Sequence, residues 1–537
     1  MASKRFINDK DTIVTEAIDG LVALGGGALV RLDGYPYIKV VARSALDPAE
    51  VAVISGGGAG HEPAHAGFVG RGMLSAAVSG EIFASPSVEA VHAAIMAVTG
   101  DAGCLLIVKN YTGDRLNFGL AAERARAAGK RVEMVIVADD VAIPGAPQPR
   151  GVAGTLFVHK IAGHLAGAGA DLETVAAVAR AVAGDIRSLG VSLESCTIPG
   201  QPSNERLAAD EGELGLGIHG EPGVETIALQ SLREIVALMS ERLLAALPAA
   251  SDSEPGGYAM LINNLGAVPV IEMALIANEV LRSPLAAKIE LMIGPAPLMT
   301  SLDMNGFSLS LLRLDDQRRE ALASACAPTA WPPVVRPIAI DPRPLPPRSR
   351  EVDAAASSDP EREKLLARIL EALIAAAPAL DVLDGKIGDG DTGSTFATGA
   401  RAILDRFAAL PFAEAGPLLA MIGEILGESM GGSSGVLLSI FCTAAAGALA
   451  DHDRQGVGWL AALCEGAARM QEYGGAGPGD RTMLDALLPA LAVLAESGDL
   501  TAAAAAARAG AEATATMSRA RAGRASYLNA ATLTGVA

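Results

Sequence analysis

Between Pro328 and Lys364 the chain reads PTAWPPVVRPIAIDPRPLPPRSREVDAAASSDPEREK, and no other stretch limits its fold so strongly. Pro332, Pro333, Pro337, Pro342, Pro344, Pro346 and Pro347 fix φ and lack a backbone N–H. Neither a continuous helix nor a central strand can run through them. Residues 328–359 therefore read as an extended, semi-rigid spacer. It separates residues 1–327 from 360–537 in a 537-residue chain that is too long for one core.

The two sides differ in period. On the longer side VAVISGG, CLLIVKNY (104–111) and RVEMVIVADD (131–140) are short apolar runs ending in Gly, Asn or Asp. Helix-like SVEAVHAAIMAV (87–98) and NFGLAAERARAAG (117–129) lie between them. This alternation predicts parallel α/β layers, with ligands beyond the carboxyl ends of the strands. A second α/β subdomain is expected after a boundary near 185–220, with strands in GYAMLINNLG, KIELMIGP and FSLSLLRL around a helical EMALIANEVLRS. On the shorter side every apolar run, from EREKLLARILEALIAAA to LTAAAAAARAGAEATATMSRA, has helical period, which predicts an all-α bundle with its functional residues in the loops.

Composition narrows the class. A net charge of −19 argues against nucleic acid or an anionic membrane as partner. Cys104, Cys196, Cys326, Cys442 and Cys464 are scattered without a C-x-x-C and read as reduced thiols. The start MASKRFINDKDTIV lacks a signal-peptide core, and no uncharged apolar run is expected to reach membrane-spanning length. A cytoplasmic protein is the expectation.

His61-Glu62-Pro63-Ala64-His65 matches the zinc signature H-E-x-x-H. A zinc helix needs both histidines on one face, yet Gly56–Gly60 precede the motif and Pro63 is tolerated only in a first turn. A strand, a glycine turn and a helix with His61 at its entrance fit better. His219, within GLGIHGEPG (215–223), is a second imidazole among glycines. His92, His159, His164 and His452 read as structural or surface residues. In KNYTGDRLNFG (109–119), Lys109 and Asp114 follow a strand, and Asp114 is a candidate to orient His61 as a base.

DGKIGDGDTGS (384–394) crowds Asp384, Asp389 and Asp391 into eight residues. Carboxylates so close call for a cation, and hard oxygen donors suit Mg²⁺ shared with nucleotide phosphates. A calcium loop starting at Asp389 fails, because Ser394 and Ala400 stand where it needs Gly and Glu. MGGSSG (430–435), YGGAGPGDRTMLDAL (473–487) and AGRASYL (522–528) are further glycine turns suited to nucleotide. Ser433 and Ser434 can hydrogen-bond phosphate and Arg524 can supply positive charge. No Walker A or protein-kinase motif set occurs.

GGGAGHEPAHAG, GMLSAAVSGEIFASP, KNYTGDRLNF, RGVAGT and GIHGEPG together resemble the substrate-binding K domain of dihydroxyacetone kinases. The linker, IGDGDTGST, MGGSSG, PGDRTMLDAL and GRASYL resemble the nucleotide-binding L domain of the single-chain, ATP-dependent form. The resemblance implies a K-type domain over 1–327, a linker, an L-type domain over 360–537, and a homodimer formed through the K-type domain. It implies that His219 attacks the ketone carbon to give a hemiaminal and that His61 takes the hydroxyl proton with help from Asp114. Gly58, Ala59, Gly60, His61, Lys109 and Asp114 are then the substrate contacts. Asp384, Asp389 and Asp391 hold Mg²⁺ under ATP, with Thr392, Gly393, Ser394, Thr395, Ser433, Ser434, Gly474, Thr482, Met483 and Arg524 around the nucleotide.

Two departures stand out. The family continues after GRASYL with a D-P-G-A turn and a last helix, whereas this sequence ends LTGVA (533–537), so that helix is expected to be missing. PGQPSNERL (199–207) differs from the P-S-F-type sequence usual there, with a bearing on substrate choice. Erythrulose or glyceraldehyde are alternative substrates. Feeding by a phosphotransferase relay, a non-enzymatic triose sensor, and cleavage of FAD to a cyclic flavin phosphate are alternative activities.

Overall fold

The computed structural model describes residues 5–201, 206–247, 257–346, 354–452, 458–527 and 533, with backbone alone at 451–452 and 524–525. The chain divides into two compact units, Met1–Asp341 and Pro342–Ala537.

In the first unit the short apolar runs become strands of two sheets. The first holds β1 (Leu29–Arg31), β2 (Val40–Arg43), β3 (Ala52–Ala59), β4 (Ala76–Ile82), β5 (Cys104–Lys109) and β6 (Val132–Val137) in the order β1-β2-β4-β3-β5-β6. The four strands from β4 to β6 run parallel, and β1 and β2 extend them antiparallel. A parallel strand covered on both faces reads as an unbroken apolar run. In β3, Ile54 packs with residues of helices Val88–Val98 and Thr112–Ala127, while Val53 belongs to the core that contains helices Thr155–Gly167 and Leu172–Asp185.

The glycine run is not a turn. Gly56, Gly57 and Gly58 lie inside β3, fully buried, and His61 leads into a tight turn and a short 3-10 segment, Ala66–Phe68, instead of an α-helix. Close approach explains the composition: a Cβ on Gly56 would stand 2.2 Å from the Val78 carbonyl oxygen. Glycine is present because the neighbouring strand leaves no room for a side chain.

The second sheet holds β7 (Ile186–Glu194), β8 (Glu211–Leu214), β9 (Glu225–Ala228), β10 (Tyr258–Asn264), β11 (Ile289–Ala296), β12 (Asn305–Arg313) and β13 (Val334–Val335), ordered β13-β11-β10-β12-β7-β8-β9. Only β10 and β11 pair in parallel, joined by the crossover helix Val270–Val280. Every other pairing is antiparallel, so parallel α/β layering holds for the first sheet and not for this one. Helices Leu232–Ala245 and Val270–Val280 cover its outer face. The proline-rich stretch is shared between the units. Trp331 sits in the first unit's core, and β13 adds an edge strand to β11, the position in a sheet where neighbouring prolines are tolerated.

The second unit consists of helices Pro360–Asp384, Thr392–Asp405, Ala415–Ser429, Gly432–His452, Trp459–Gly474, Leu484–Ser497 and Leu500–Ala513. Glycines mark where successive helices touch, and their partners give the direction. Gly393 meets Ala377, Gly399 meets Met430, Gly416 meets Ala446, Gly466 meets Phe441, Gly474 meets Leu437 and Gly510 meets Asp485. Each of these pairs is antiparallel, so the bundle runs up and down. One expectation is corrected here: Gly432–Ala450 is 19 residues long and apolar enough to cross a membrane by length and composition, with 22% of it buried. Its apolarity comes from Val, Leu, Ile, Phe, Cys and Ala, and Cys442 and Ala445 are buried, Cys442 against Gly423 of the preceding helix.

Candidate active site

The carboxyl ends of β3, β4 and β5 converge with two loops of the second sheet. His61 lies two residues beyond the end of β3. Its Nδ1–H donates to the Thr300 carbonyl at 2.8 Å, so Nε2 carries the lone pair. That Nε2 is buried and has no partner among the described residues. The β11–β12 connection clamps the loop further, as Thr300 N–H donates to the His61 carbonyl and Leu302 N–H to the Gly60 carbonyl.

His219 sits on the loop between β8 and β9, its ring centroid 4.9 Å from that of His61. Phe83 stacks on His61 at 5.2 Å and meets His219 edge-on at 5.4 Å, and Tyr111 lies 4.4 Å from His219. Both histidine loops use the same local device, a glutamate before a proline that reaches back two residues. The Gly60 N–H donates to Glu62 Oε2 at 2.9 Å, and the His219 N–H donates to Glu221 Oε2 at 2.8 Å. Arg206 holds Glu213 through two hydrogen bonds and donates to the Gly220 and Glu221 carbonyls. The segment that departs from the family pattern thus supports the His219 loop, although residues 202–205 lie outside the described residues.

Burial, then Lys109 and the neighbouring His219, hold the His61 imidazole well below its usual range. His219 is pushed down to about 3 by burial, then by Lys109 and Arg150. Both rings are therefore neutral near pH 7. Lys109 and Asp114 flank the Gly57 backbone: a Cβ there would stand 2.5 Å from Lys109 Nζ and 3.5 Å from Asp114 Oδ2. Burial raises the Asp114 carboxyl while Lys109 pulls it down. Asp114 does not orient His61 by a hydrogen bond, since the Thr300 carbonyl takes Nδ1 and Nε2 has no described partner. Gly58 and Gly60 give Phe83 its close approach, with its backbone 2.8 Å from a Cβ on Gly58 and its ring 2.8 Å from one on Gly60, and the Ala59 carbonyl accepts from the Phe83 N–H at 2.9 Å. Phe83 itself has φ 57, uncommon for a bulky residue and a frequent mark of a functional position. Phe83, Tyr111, Thr300 and Glu221 were not singled out from sequence. Only the repeated Glu-Pro after each histidine offered a signal.

In the second unit Asp384, Asp389 and Asp391 bring one carboxylate oxygen each within 4.8 Å of the others. Asp384 Oδ2 accepts from Gly390 N–H at 2.8 Å and from Asp391 N–H at 3.2 Å, which folds the loop back on itself. Three hard, like-charged donors at this spacing fit a divalent cation such as Mg²⁺. Thr392 and Thr395 are partly exposed in the first turn of the next helix. Ser394 is bound by Asp381, which accepts from its N–H at 2.9 Å and its hydroxyl at 2.6 Å. Gly393 is buried, and a Cβ there would stand 2.0 Å from the Ala377 carbonyl oxygen, so it serves helix packing.

Ser433 and Ser434 open helix Gly432–His452, and Gly474 closes helix Trp459–Gly474 against Leu437. The buried Asp485 shapes the next loop, accepting from Gly479 N–H at 2.5 Å and Thr482 N–H at 2.7 Å. Met483 packs with Met470 and Leu484 in a small apolar cluster that Ala522 joins. The antiparallel register therefore gathers the loops at 385–391, 430–431 and 475–483 at one end of the bundle. Arg524 opens a 3-10 turn there, and its side chain lies outside the described residues.

Comparison with known proteins fits this division. Residues 20–330 match the Dak1 domain and residues 386–537 the DAK2 domain. The dihydroxyacetone kinase of Citrobacter freundii is 49% identical over 99% of this chain and 96% of its own. The chain belongs to the dihydroxyacetone kinase family. The human triokinase/FMN cyclase is 42% identical, covering 91% of this chain and 87% of that relative. The crystal structure of the C. freundii kinase with AMP-PNP and Mg²⁺ superposes with a TM-score of 0.79 at 48% identity, covering 99% of this chain and 98% of that one. The family is one of kinases with an α/β unit followed by an all-helical unit, the architecture described above.

Proposed function

We propose that the chain phosphorylates dihydroxyacetone, or a closely related short ketose, with ATP as donor and magnesium as the metal. The observation that carries this reading is the facing pair of neutral imidazoles in one cluster of rings, His61 with a bare Nε2 and His219 with its ring 4.9 Å away. An unprotonated imidazole is both a nucleophile and a base. A ring nitrogen of His219 adds to the ketone carbon, the carbonyl π bond opens, and the ring N–H proton passes to the former carbonyl oxygen. The product is a hemiaminal. It fixes the ketose and rejects plain alcohols, which offer no electrophilic carbon. Lys109 and Asp114 orient the bound sugar across the Gly57 backbone. His61 Nε2 accepts the proton of the terminal hydroxyl as that oxygen bonds to the γ-phosphorus of ATP, the bond from that phosphorus to its bridging oxygen breaks, and ADP leaves.

Asp384, Asp389 and Asp391 would hold magnesium, which when bound supplies positive charge against the nucleotide phosphates. The glycine turns at Ser433, Ser434 and Thr482 offer N–H and hydroxyl donors to the same ligand. The C. freundii relative crystallised with AMP-PNP and Mg²⁺ supports that assignment. A coupled ADP-release assay across three- and four-carbon ketoses and glyceraldehyde tests the reading. ADP release with a short ketose is expected, and its order of preference among them identifies the substrate. No ketose-dependent ADP release from folded protein would overturn the function.

A further inference from the structure

The pocket leaves a buried polar chain unused. Behind Lys109 lie His65, Ser55 and His159, exposed by 4%, 0% and 0%. Lys109 Nζ is 2.8 Å from His65 Nε2; His65 Nδ1 lies a long 3.4 Å from Ser55 Oγ; and His159 Nε2 lies 3.1 Å from the same oxygen. Ser55 spends its single proton on the Ile107 carbonyl at 2.7 Å. Its oxygen can then only accept, so the ring nitrogens facing it must be N–H donors: His65 Nδ1 and His159 Nε2. Burial and the adjacent Lys109 keep His65 neutral, so a ring protonated at Nδ1 has a bare Nε2. That nitrogen can only accept, and it faces the Lys109 ammonium.

We propose that His65 is a positioning residue for phosphoryl transfer, its tautomer set by Ser55, which holds Lys109 as a charged donor beside Gly57 where the ketose binds. The proposal rests on the reading of this pocket as the ketose site. The other groups facing Lys109 are the Asp114 and Glu62 carboxylates and the neutral rings of His61, His159 and His219. Burial lowers the pKa of the Lys109 ammonium, and the two carboxylates oppose that shift. The His65 acceptor supplies direction as well as stabilisation.

The test compares His65→Leu, which removes the acceptor, with His65→Gln, whose amide oxygen can replace Nε2. For His65→Leu the ketose KM should rise about tenfold or more, the loss expected for one hydrogen bond to a charged group, with the nucleotide KM unchanged. An acceptor favours the protonated amine, so without it Lys109 loses its proton at lower pH. The alkaline limb of kcat/KM for the ketose should move down by about one pH unit, and His65→Gln should restore most of both effects. Equal losses in the two variants, or an unmoved alkaline limb in His65→Leu, would overturn the proposal. In case His65→Leu does not fold, imidazole ¹⁵N shifts of histidine-labelled wild type, assigned with His65→Gln, should show His65 protonated at Nδ1; protonation at Nε2 refutes the chain. Wild type that is inactive with every short ketose refutes the functional reading instead, whatever the tautomer.

Discussion

His61 and His219 owe their chemistry to burial among glycines without a carboxylate to charge them. A histidine with a lowered pKa keeps its neutral form as pH falls through the ordinary imidazole range. Ketose capture should therefore be undiminished between about pH 7.5 and 5.5, measured by ¹³C NMR of labelled dihydroxyacetone. A titration midpoint near 6.5 would contradict the burial argument. His219→Ala should abolish the adduct. His61→Ala should retain it while turnover falls about 10²–10⁴-fold, the usual cost of a lost general base. Both histidines stood out in the sequence as candidates because imidazoles between glycines are unusual core residues. The partner that orients His61 was not legible, since Thr300 lies 239 positions away and acts through a carbonyl group that every residue possesses. The link between His65 and His159 was not legible for a related reason: a zinc-like motif and a helical context say nothing about the β3 serine that both rings face.

Among elements, the strands and helices with strong period could be read directly, and the failures cluster at glycine. The run at Gly56 looked like a turn because glycine disfavours strands, yet the Val78 backbone takes the space a side chain would fill. In the second unit the same logic puts Gly393 against Ala377. Gly393→Ala should force helices Pro360–Asp384 and Thr392–Asp405 apart at a cost of about 1–3 kcal/mol, typical of overpacking. Urea unfolding of the helical unit measures it, and Mg²⁺-dependent nucleotide binding should weaken in parallel, because the aspartate loop joins those two helices. Unchanged stability would show that the contact relaxes freely. The mixed second sheet escaped sequence reading because strand direction depends on how chain segments return, and a run such as FSLSLLRL is the same in either direction.

For the molecule as a whole, the two units divide between Asp341 and Pro342, inside the proline-rich stretch, with Trp331 and β13 on the first unit's side. Proline content announces a break; the burial of one tryptophan decides on which side the chain remains. Two ligand sites in two units predict separable defects. Asp389→Ala should lose Mg²⁺-dependent nucleotide binding yet still form the ketose adduct, and His219→Ala should show the reverse. Calorimetric titration with Mg-ATP and adduct NMR on both variants decide this. Loss of both ligands in either variant would contradict independent sites.

The alternating course of the helical bundle also sorts its connections. Those at 406–414 and 498–499 lie opposite every turn assigned to nucleotide. The Gly498–Asp499 turn should accept a peptide tag or a fluorophore without a change in catalytic rate, which makes that remote edge the place to attach a reporter.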